Sequence, residues 1–205
     1  MQVMRQVKRT IGAEPHPLPW PEGNYYDQAL LKEGDYRNVE DKYRYWTVEA
    51  IKQDMAKNAF DLEIAIENYQ HDFNIGTIVR NANAFNVRAV HIIGKKHWNR
   101  RGAMVTDAYL NVIYHKTTTE FLSVVKNKQL VGVDNVEGSK GLHEVTLPKK
   151  TVLVFGGEGP GLTDEMKARC HQVVAIEQFG STRSINVGVA SGILMYKWVE
   201  THTLK

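Results

Sequence analysis

A chain of 205 residues is long enough for one sizeable core with an appendage, and 42% apolar and 24% charged residues are ordinary for a globular protein. No apolar run is long enough to cross a bilayer, and the basic residues 1–9 lack the apolar stretch that would make them a secretory signal. The net charge of +3 tolerates a nucleic-acid partner without demanding one, and the single cysteine, Cys170, excludes an intramolecular disulfide and fits a reducing cytoplasm.

Residues 1–60 read as an extension distinct from the rest of the chain. Pro15, Pro17, Pro19 and Pro21 exclude helix interior and central strand, so this part should run extended. Tyr25, Tyr26, Tyr36, Tyr43, Tyr45 and Trp46 then make the segment aromatic-rich, which argues for packing rather than disorder. Over residues 41–60 the spacing of Tyr45, Val48, Ile51, Met55 and Phe60 is roughly helical. Substrate recognition and simple bracing are both open for this segment.

From residue 61 to 205 short apolar runs alternate with helical stretches. Strands are expected at 62–66, 88–93, 111–114, 130–134, 151–155 and 173–176, with helices over 75–84, 118–127, 163–171 and from about 185 to 200. Strands that are apolar throughout and separated by helices indicate an α/β domain with a mainly parallel sheet covered on both faces. Cys170 falls late in the helix over 163–171, where a buried small hydrophobe is expected rather than a nucleophile.

In an open parallel sheet, ligands bind beyond the carboxyl ends of the strands. Three polar or glycine-rich segments follow strands here. In the first, Asn74 stands at a helix start, with Arg80 six residues on along a mostly apolar helix. In the second, Gly156, Gly157, Gly159 and Gly161 permit tight turns and close approach to a ligand, and Glu158 among them is poised to accept hydrogen bonds or meet a cation. This run is neither a P-loop nor a dinucleotide fingerprint, since no Gly-Lys-Ser/Thr follows and Leu162 replaces the last glycine. In the third, a small polar loop runs into an apolar helix, with Ser184 or Asn186 placed to cap it. That helix carries almost no charge from 185 to 196, so most of its sides should be covered. Between the segments, Lys95, Lys96, Arg100 and Arg101 surround Trp98, which reads either as a solvated loop or as phosphate contacts with a base stacking on Trp98.

Asn-Ile-Gly-x-x-x-Arg-x-Ala-x-Ala-Phe over 74–85, Phe-Gly-Gly-Glu-Gly-Pro-Gly-Leu over 155–162 and Gly-x-x-x-Ser-Ile-Asn-Val-x-Val-Ala over 180–190 together resemble the three motifs of the SpoU (TrmH-like) RNA ribose 2′-O-methyltransferases of the SPOUT class. The resemblance spans roughly residues 62–198. It implies a C-terminal trefoil knot, a homodimer, S-adenosylmethionine as methyl donor and a cytoplasmic enzyme acting on RNA, tRNA ahead of rRNA. It further implies catalytic roles for Asn74, Arg80, Glu158, Ser184 and Asn186, cofactor contacts at Gly156, Ile176 and Ile185, and RNA contacts at Lys95, Lys96, Arg100 and Arg101. No metal is implied. The chain departs from the family where Ile-Pro-Met-x-Gly becomes Ile176-Glu177-Gln178-Phe179-Gly180, and where Phe-Gly becomes Phe85-Asn86. A non-catalytic RNA-binding protein whose cofactor site has decayed at Glu177 is the alternative. An ordinary doubly wound enzyme acting on free nucleotides is a third reading, which the intact motif residues disfavour.

Overall fold

The computed structural model describes residues 12–69, 74–157 and 159–204. The chain divides into two compact units, Met1–Asp54 and Met55–Lys205.

In the first unit, the proline-rich segment has no regular structure and contains a cis Leu18–Pro19 bond. The short helix α1 (Gln28–Glu33) is capped by the Asp27 carboxylate, which accepts from the Ala29 and Leu30 N–H groups. Six residues are too few for a helical period to show in sequence. The helical pattern expected over 41–60 is broken in the structure. A single 3-10 turn, Asp41–Tyr43, is followed by Tyr45 at φ 63°, and only then does α2 (Val48–Lys57) begin. The break is stabilised by Asp35, whose buried carboxylate accepts from the Tyr45 N–H at 2.9 Å and from Arg37 Nη2 at 2.7 Å. Burial alone would raise the pKa of Asp35, but these hydrogen bonds hold it below the usual carboxylate value. Tyr25, Tyr26, Tyr43 and Trp46 pack ring on ring around the turn, which is the packing their clustering suggests.

The second unit is built on seven parallel strands: β1 (Phe60–Asn68), β2 (Val87–Gly94), β3 (Val112–His115), β4 (Gln129–Val133), β5 (Lys140–Gly141), β6 (Thr151–Phe155) and β7 (Gln172–Ala175). Their spatial order is β3-β2-β1-β6-β4-β7-β5. The six expected strands are all present; β5, a two-residue strand on the edge, is the addition. Alternate residues face opposite layers. Leu62, Ile64 and Ile66 of β1 and Leu153 and Phe155 of β6 face α3 (Ile75–Ala84) and α6 (Val187–His202), where Trp198 is 2% exposed. Ala65, Val152 and Val154 face α4 (Thr118–Val124) and α5 (Asp164–Arg169). The sheet is therefore covered on both faces. Trp198 fixes α6 by its ring, and its Nε1–H donates to the Pro148 carbonyl at 2.9 Å.

Cys170 packs against the second layer and its thiol is pushed up to about 11, chiefly by burial, so it behaves as the hydrophobe expected. One polar feature of that layer has no sequence signature. Glu63 and His91 are buried side by side at 3.1 Å, and His91 Nδ1 meets His115 Nε2 at 2.8 Å under Phe121. Burial pushes Glu63 up, but its bonds to His91 and Lys128 prevail and its pKa lies below the ordinary value. Burial, then the neighbouring His91, lowers His115, which favours a neutral imidazole within the layer.

Candidate active site

The register pairs Ile66 with Phe155, Phe155 with Val133 and Val133 with Val174, so β6 and β4 end level, with β7 and β1 running on to Ala175 and Asn68. Beyond these ends lies a cavity of about 620 Å³. Its walls include Gly156 and Gly161 from the glycine turn and Ile176, Gln178, Ser184, Ile185 and Asn186 from the loop before α6. Asp134 and Asn135 line it as well, directly after β4. Neither is among the residues expected from the sequence, although position at a strand's carboxyl end is signal enough to include both.

The glycine turn is held from several sides. The Gly161 N–H donates to the Gly157 carbonyl at 3.1 Å, closing the turn. A side chain on Gly156 would strike the backbone of Gly161 and Leu162, so glycine is needed there for close packing. Asp134 Oδ2 accepts from the Leu162 N–H at 2.9 Å. Glu67, at the end of β1, accepts from the Thr163 N–H at 2.8 Å and the Thr163 hydroxyl at 2.7 Å. Burial raises the pKa of Glu67 despite these two donors. Glu158 lies outside the described residues.

Asn186, rather than Ser184, caps α6: its Oδ1 accepts from the Gly188 N–H at 2.9 Å and the Val189 N–H at 3.3 Å. The same side chain donates from Nδ2 to Asn74 Oδ1 at 2.9 Å. Asn74 stands at the N-cap position of α3, as expected, but its side chain makes no capping bond. Asn81 adds a second tie between these helices, donating to the Gly188 carbonyl at 2.8 Å and to Ser191 Oγ at 3.0 Å. The structure thus joins Asn74 and Asn186 and places Ser184, Asn186, Gly156, Ile176 and Ile185 on the cavity. Arg80 is not on the cavity wall. It is exposed on α3, one residue before Asn81, and its side chain makes no hydrogen bond or ion pair with a described residue.

The α6 surface corrects one expectation. Val189, Ile193 and Tyr196 are 56%, 39% and 53% exposed, so an uncharged helix here keeps an open apolar stripe at i, i+4, i+7 spacing.

Lys95, Lys96, Arg100 and Arg101 are exposed on the segment that leaves the carboxyl end of β2. Asn68 Nδ2 donates to the Lys95 carbonyl at 2.7 Å and to the His97 carbonyl at 3.2 Å, fixing the start of the segment to β1. Gly76 and Gly102 let the turn carrying Arg100 and Arg101 press against the first turn of α3, where any side chain would clash with backbone. Trp98 is half-buried against the core, with the Arg100 guanidinium over its ring at 5.6 Å. The ring offered for base stacking is therefore engaged by the protein itself.

Residues 61–196 match the SpoU rRNA Methylase family. The chain belongs to the SpoU rRNA methylase family. Among its relatives, the tRNA (guanosine(18)-2′-O)-methyltransferase of Escherichia coli K12 is 24% identical over 148 residues, covering 70% of this chain and 65% of the relative. The 23S rRNA (guanosine-2′-O-)-methyltransferase RlmB of Bordetella pertussis is 31% identical over 146 residues, covering 67% of this chain and 59% of the relative. The SpoU chain thus spans less than two thirds of the length of these two proteins. Its fold superposes on the A. aeolicus TrmH/SpoU tRNA modifying enzyme with TM-score 0.66 at 25% identity, covering 75% of this chain and 81% of that one. It also superposes on the SpoU methyltransferase AviRb of Streptomyces viridochromogenes in complex with AdoMet, with TM-score 0.62 at 22% identity, covering 69% and 58% of the two chains.

Where this SpoU chain departs from the family's third motif, the structure supplies a replacement for the missing proline. The Glu177 carboxylate accepts from the His143 backbone N–H at 3.1 Å and makes a short bond with the His143 ring. These contacts tie the loop's lead-in to the segment after β5 and turn the carboxylate away from the cavity wall. Bonding to His143 pulls Glu177 down to about 2, and the same bond raises His143 above the ordinary histidine value. The signs fix a window. The Glu177 contribution is present above its unfolded pKa and lost as pH falls toward about 2, whereas that of His143 is present below its unfolded pKa and lost as pH rises through its raised value. The tie is therefore strongest from mildly acidic pH up to the His143 titration. We expect an NMR titration to place His143 above an exposed histidine, and Glu177→Gln to return it to the ordinary value. An unchanged His143 titration in that variant would show that Glu177 does not hold it.

Proposed function

We propose that the chain is an S-adenosylmethionine-dependent RNA methyltransferase acting on a ribose 2′-hydroxyl, with tRNA favoured over rRNA. One observation carries the proposal: the second and third SpoU motifs wall one cavity, and the first is hydrogen-bonded to the third through Asn74 and Asn186. The cavity suits the methyl donor. Its volume, about 620 Å³, lies in the range of small-molecule sites. Phe155, Val174 and Ile185 supply apolar wall, and Asp134, Ser184 and Asn186 supply polar groups. Because Glu177 is engaged by His143, its replacement of proline puts no carboxylate into this space, which weighs against a decayed site.

When bound, the methyl donor would supply an electrophilic methyl on a sulfonium, which passes in line to the ribose oxygen as the carbon–sulfur bond breaks and the neutral thioether leaves. Gly156, Ile176 and Ile185 hold it, largely through backbone. Arg80 binds the phosphate beside the target ribose and orients the hydroxyl, since a planar guanidinium suits phosphate and is a poor proton acceptor. Ser184, Asn186 and Asn74 hydrogen-bond the nucleotide or hold the two loops together, and Glu158 orients Asn74 or Arg80. Proton loss from the hydroxyl goes to phosphate or water. Lys95, Lys96, Arg100 and Arg101 contact RNA phosphates, in keeping with their exposure beside the start of α3.

Residues 1–60 as an extension, residues 61–205 as the methyltransferase domain, a C-terminal trefoil knot, a cytoplasmic location and a homodimer complete the proposal. The uncovered stripe of Val189, Ile193 and Tyr196 supports the dimer, since a second copy would cover it. Sedimentation should give twice the chain mass, and a monomer at micromolar concentration would overturn this part.

Arg80→Ala should bind S-adenosylmethionine as the wild type does while losing methyl transfer by about 100-fold or more, the scale on which lost positioning acts. Ribose-methylation mapping of RNA from cells with and without the protein identifies the substrate. Near-full activity in the variant would remove Arg80 from the assignment, and an unaltered methylation map would overturn the function. Removing Arg100 and Arg101 together should lower the slope of log affinity against log salt by about 1.4 if the RNA is single-stranded there. An unchanged slope would return these residues to the solvated loop.

A further inference from the structure

Among the described residues, Phe179 is the most exposed large apolar side chain, at 97%. A phenyl ring left in water forgoes one of the larger burial gains a side chain can make. Other exposed aromatic residues have partners. Tyr36 and Tyr114 donate their hydroxyls to Glu14 and to the Gly94 carbonyl, and the rings of Tyr25 and Tyr196 pack on Trp46 and Phe85. Phe179 has no polar tip, and at this exposure its ring is left to solvent. Its backbone is nevertheless fixed. Glu177, two residues before it, accepts from the His143 N–H at 3.1 Å, and the Arg183 carbonyl, four residues after it, accepts from Asn135 Nδ2 at 3.0 Å. The ring stands at the rim of the cavity and not inside it, since Gln178 and Arg183 line the wall and Phe179 does not. A Cβ on Gly180 would meet no atom within 4 Å, so the space next along the loop is open.

The surroundings select the occupant. A ligand inside the cavity does not meet Phe179, because the residue is off its wall. A protein face, a second copy included, needs a contiguous apolar patch, whereas the neighbours of Phe179 in the loop are Gln178, Gly180, Ser181, Thr182 and Arg183. Glu177 is bonded to His143 and Arg183 is exposed, so the charge this loop offers to solvent is positive. One flat apolar face among hydroxyls and a cation matches a nucleotide, whose base stacks while its ribose and phosphate take hydrogen bonds and charge. We propose that Phe179 is a stacking platform for an unpaired base of the RNA beside the methylated nucleotide; this rests on the RNA substrate proposed above and narrows it. A base stacked within a duplex has no free face to offer. The substrate is therefore an RNA whose methylated nucleotide lies in a loop, bulge or single strand, not in a continuous helix. Every base has a π face, so Phe179 selects the shape of the strand and not its sequence.

The test is methyl transfer by the full chain to unfractionated RNA from cells lacking the protein, with S-adenosylmethionine binding measured on the same samples by calorimetry. Phe179→Ala should raise the apparent KM for RNA about tenfold, the scale of one lost stack. Its kcat and methyl-donor affinity should stay within about twofold of the wild type, because the stack is made equally before and during the reaction. Phe179→Leu keeps apolar bulk without a flat face and should behave as Phe179→Ala, while Phe179→Trp should return the KM to within about twofold of the wild type. An unchanged KM in Phe179→Ala, or full rescue by Phe179→Leu, would overturn the stacking role. So would a shift of Phe179→Ala from dimer to monomer in sedimentation, which would give the ring to a second copy. A methylated nucleotide that maps within a continuous helix would overturn it with no variant needed. Each of these results leaves the methyltransferase assignment standing. A wild type that binds S-adenosylmethionine but transfers no methyl to this RNA would overturn that assignment and this one with it.

Discussion

The site depends on one asparagine side chain that is used at both ends. The oxygen of Asn186 caps α6, and its nitrogen reaches Asn74 at the start of α3. Neither bond is strong alone; a capping bond contributes about 1 kcal/mol and a neutral side-chain bond about as much. Their value lies in geometry. A planar amide that accepts at one end and donates at the other orients both helix starts, and with them the loop containing Ser184 and Ile185. Asn81, two turns along α3, repeats the tie through the Gly188 carbonyl, so α3 cannot rotate freely against α6. Arg80 is adjacent to Asn81, and its backbone is therefore fixed while its guanidinium projects into solvent. Rigid placement of an unengaged cation is what recognition of a phosphate requires.

The opposite layer of the sheet solves a different problem. Glu63, His91 and His115 form a buried polar chain closed at one end by Lys128. Such a group is tolerable only when each member has a partner. Two of its members sit on neighbouring strands whose register was invisible in sequence: His91 opposes Ala65 and Ile113, while Glu63 opposes Ala89. No spacing rule applied to a single strand would pair them. Face alternation brings both to the α4 side, away from α3 and α6. The network accordingly belongs to the domain's stability and lies on the other side of the sheet from the α3–α6 junction.

Much of the architecture was legible because parallel strands buried on both faces are mostly apolar, and each of the six longer strands contains such a run, with Glu63 in β1 and His91 in β2 as buried exceptions. Strand β5 was not, since Lys140 and Gly141 carry no apolar signal and pair only with the end of β7. The helix expected over 41–60 failed at Tyr45, whose left-handed backbone depends on Asp35, a partner ten residues away. At the site, the motifs located the glycine turn and the loop before α6, and the cavity contains residues of both. Asp134, Asn135 and Gln178 were missed for two reasons. The first pair was overlooked at a strand end, whereas Gln178 reaches the cavity wall through a loop path that only packing reveals. The uncharged run in α6 misled in the other direction, because absence of charge marks burial against any partner, including one outside the chain.

A separation of forces arises from where the charges lie. The basic side chains Lys95, Lys96, Arg100 and Arg101 and the exposed Arg80 are all off the cavity wall, whose described members include Arg183 as their basic residue. Electrostatic attraction of a polyanion is long-ranged and falls with salt, whereas contact inside a pocket is short-ranged and depends on it far less. A small ligand in the cavity and a phosphate backbone would therefore be held by different terms and on different surfaces. The loop that carries Ser184 and Asn186 stands between them, belonging to the cavity by position and to the α3 side by the Asn74 bond. Glu177 fits the same division: a carboxylate in this loop would repel an approaching phosphate if left free, and here it is engaged by the His143 ring and backbone N–H.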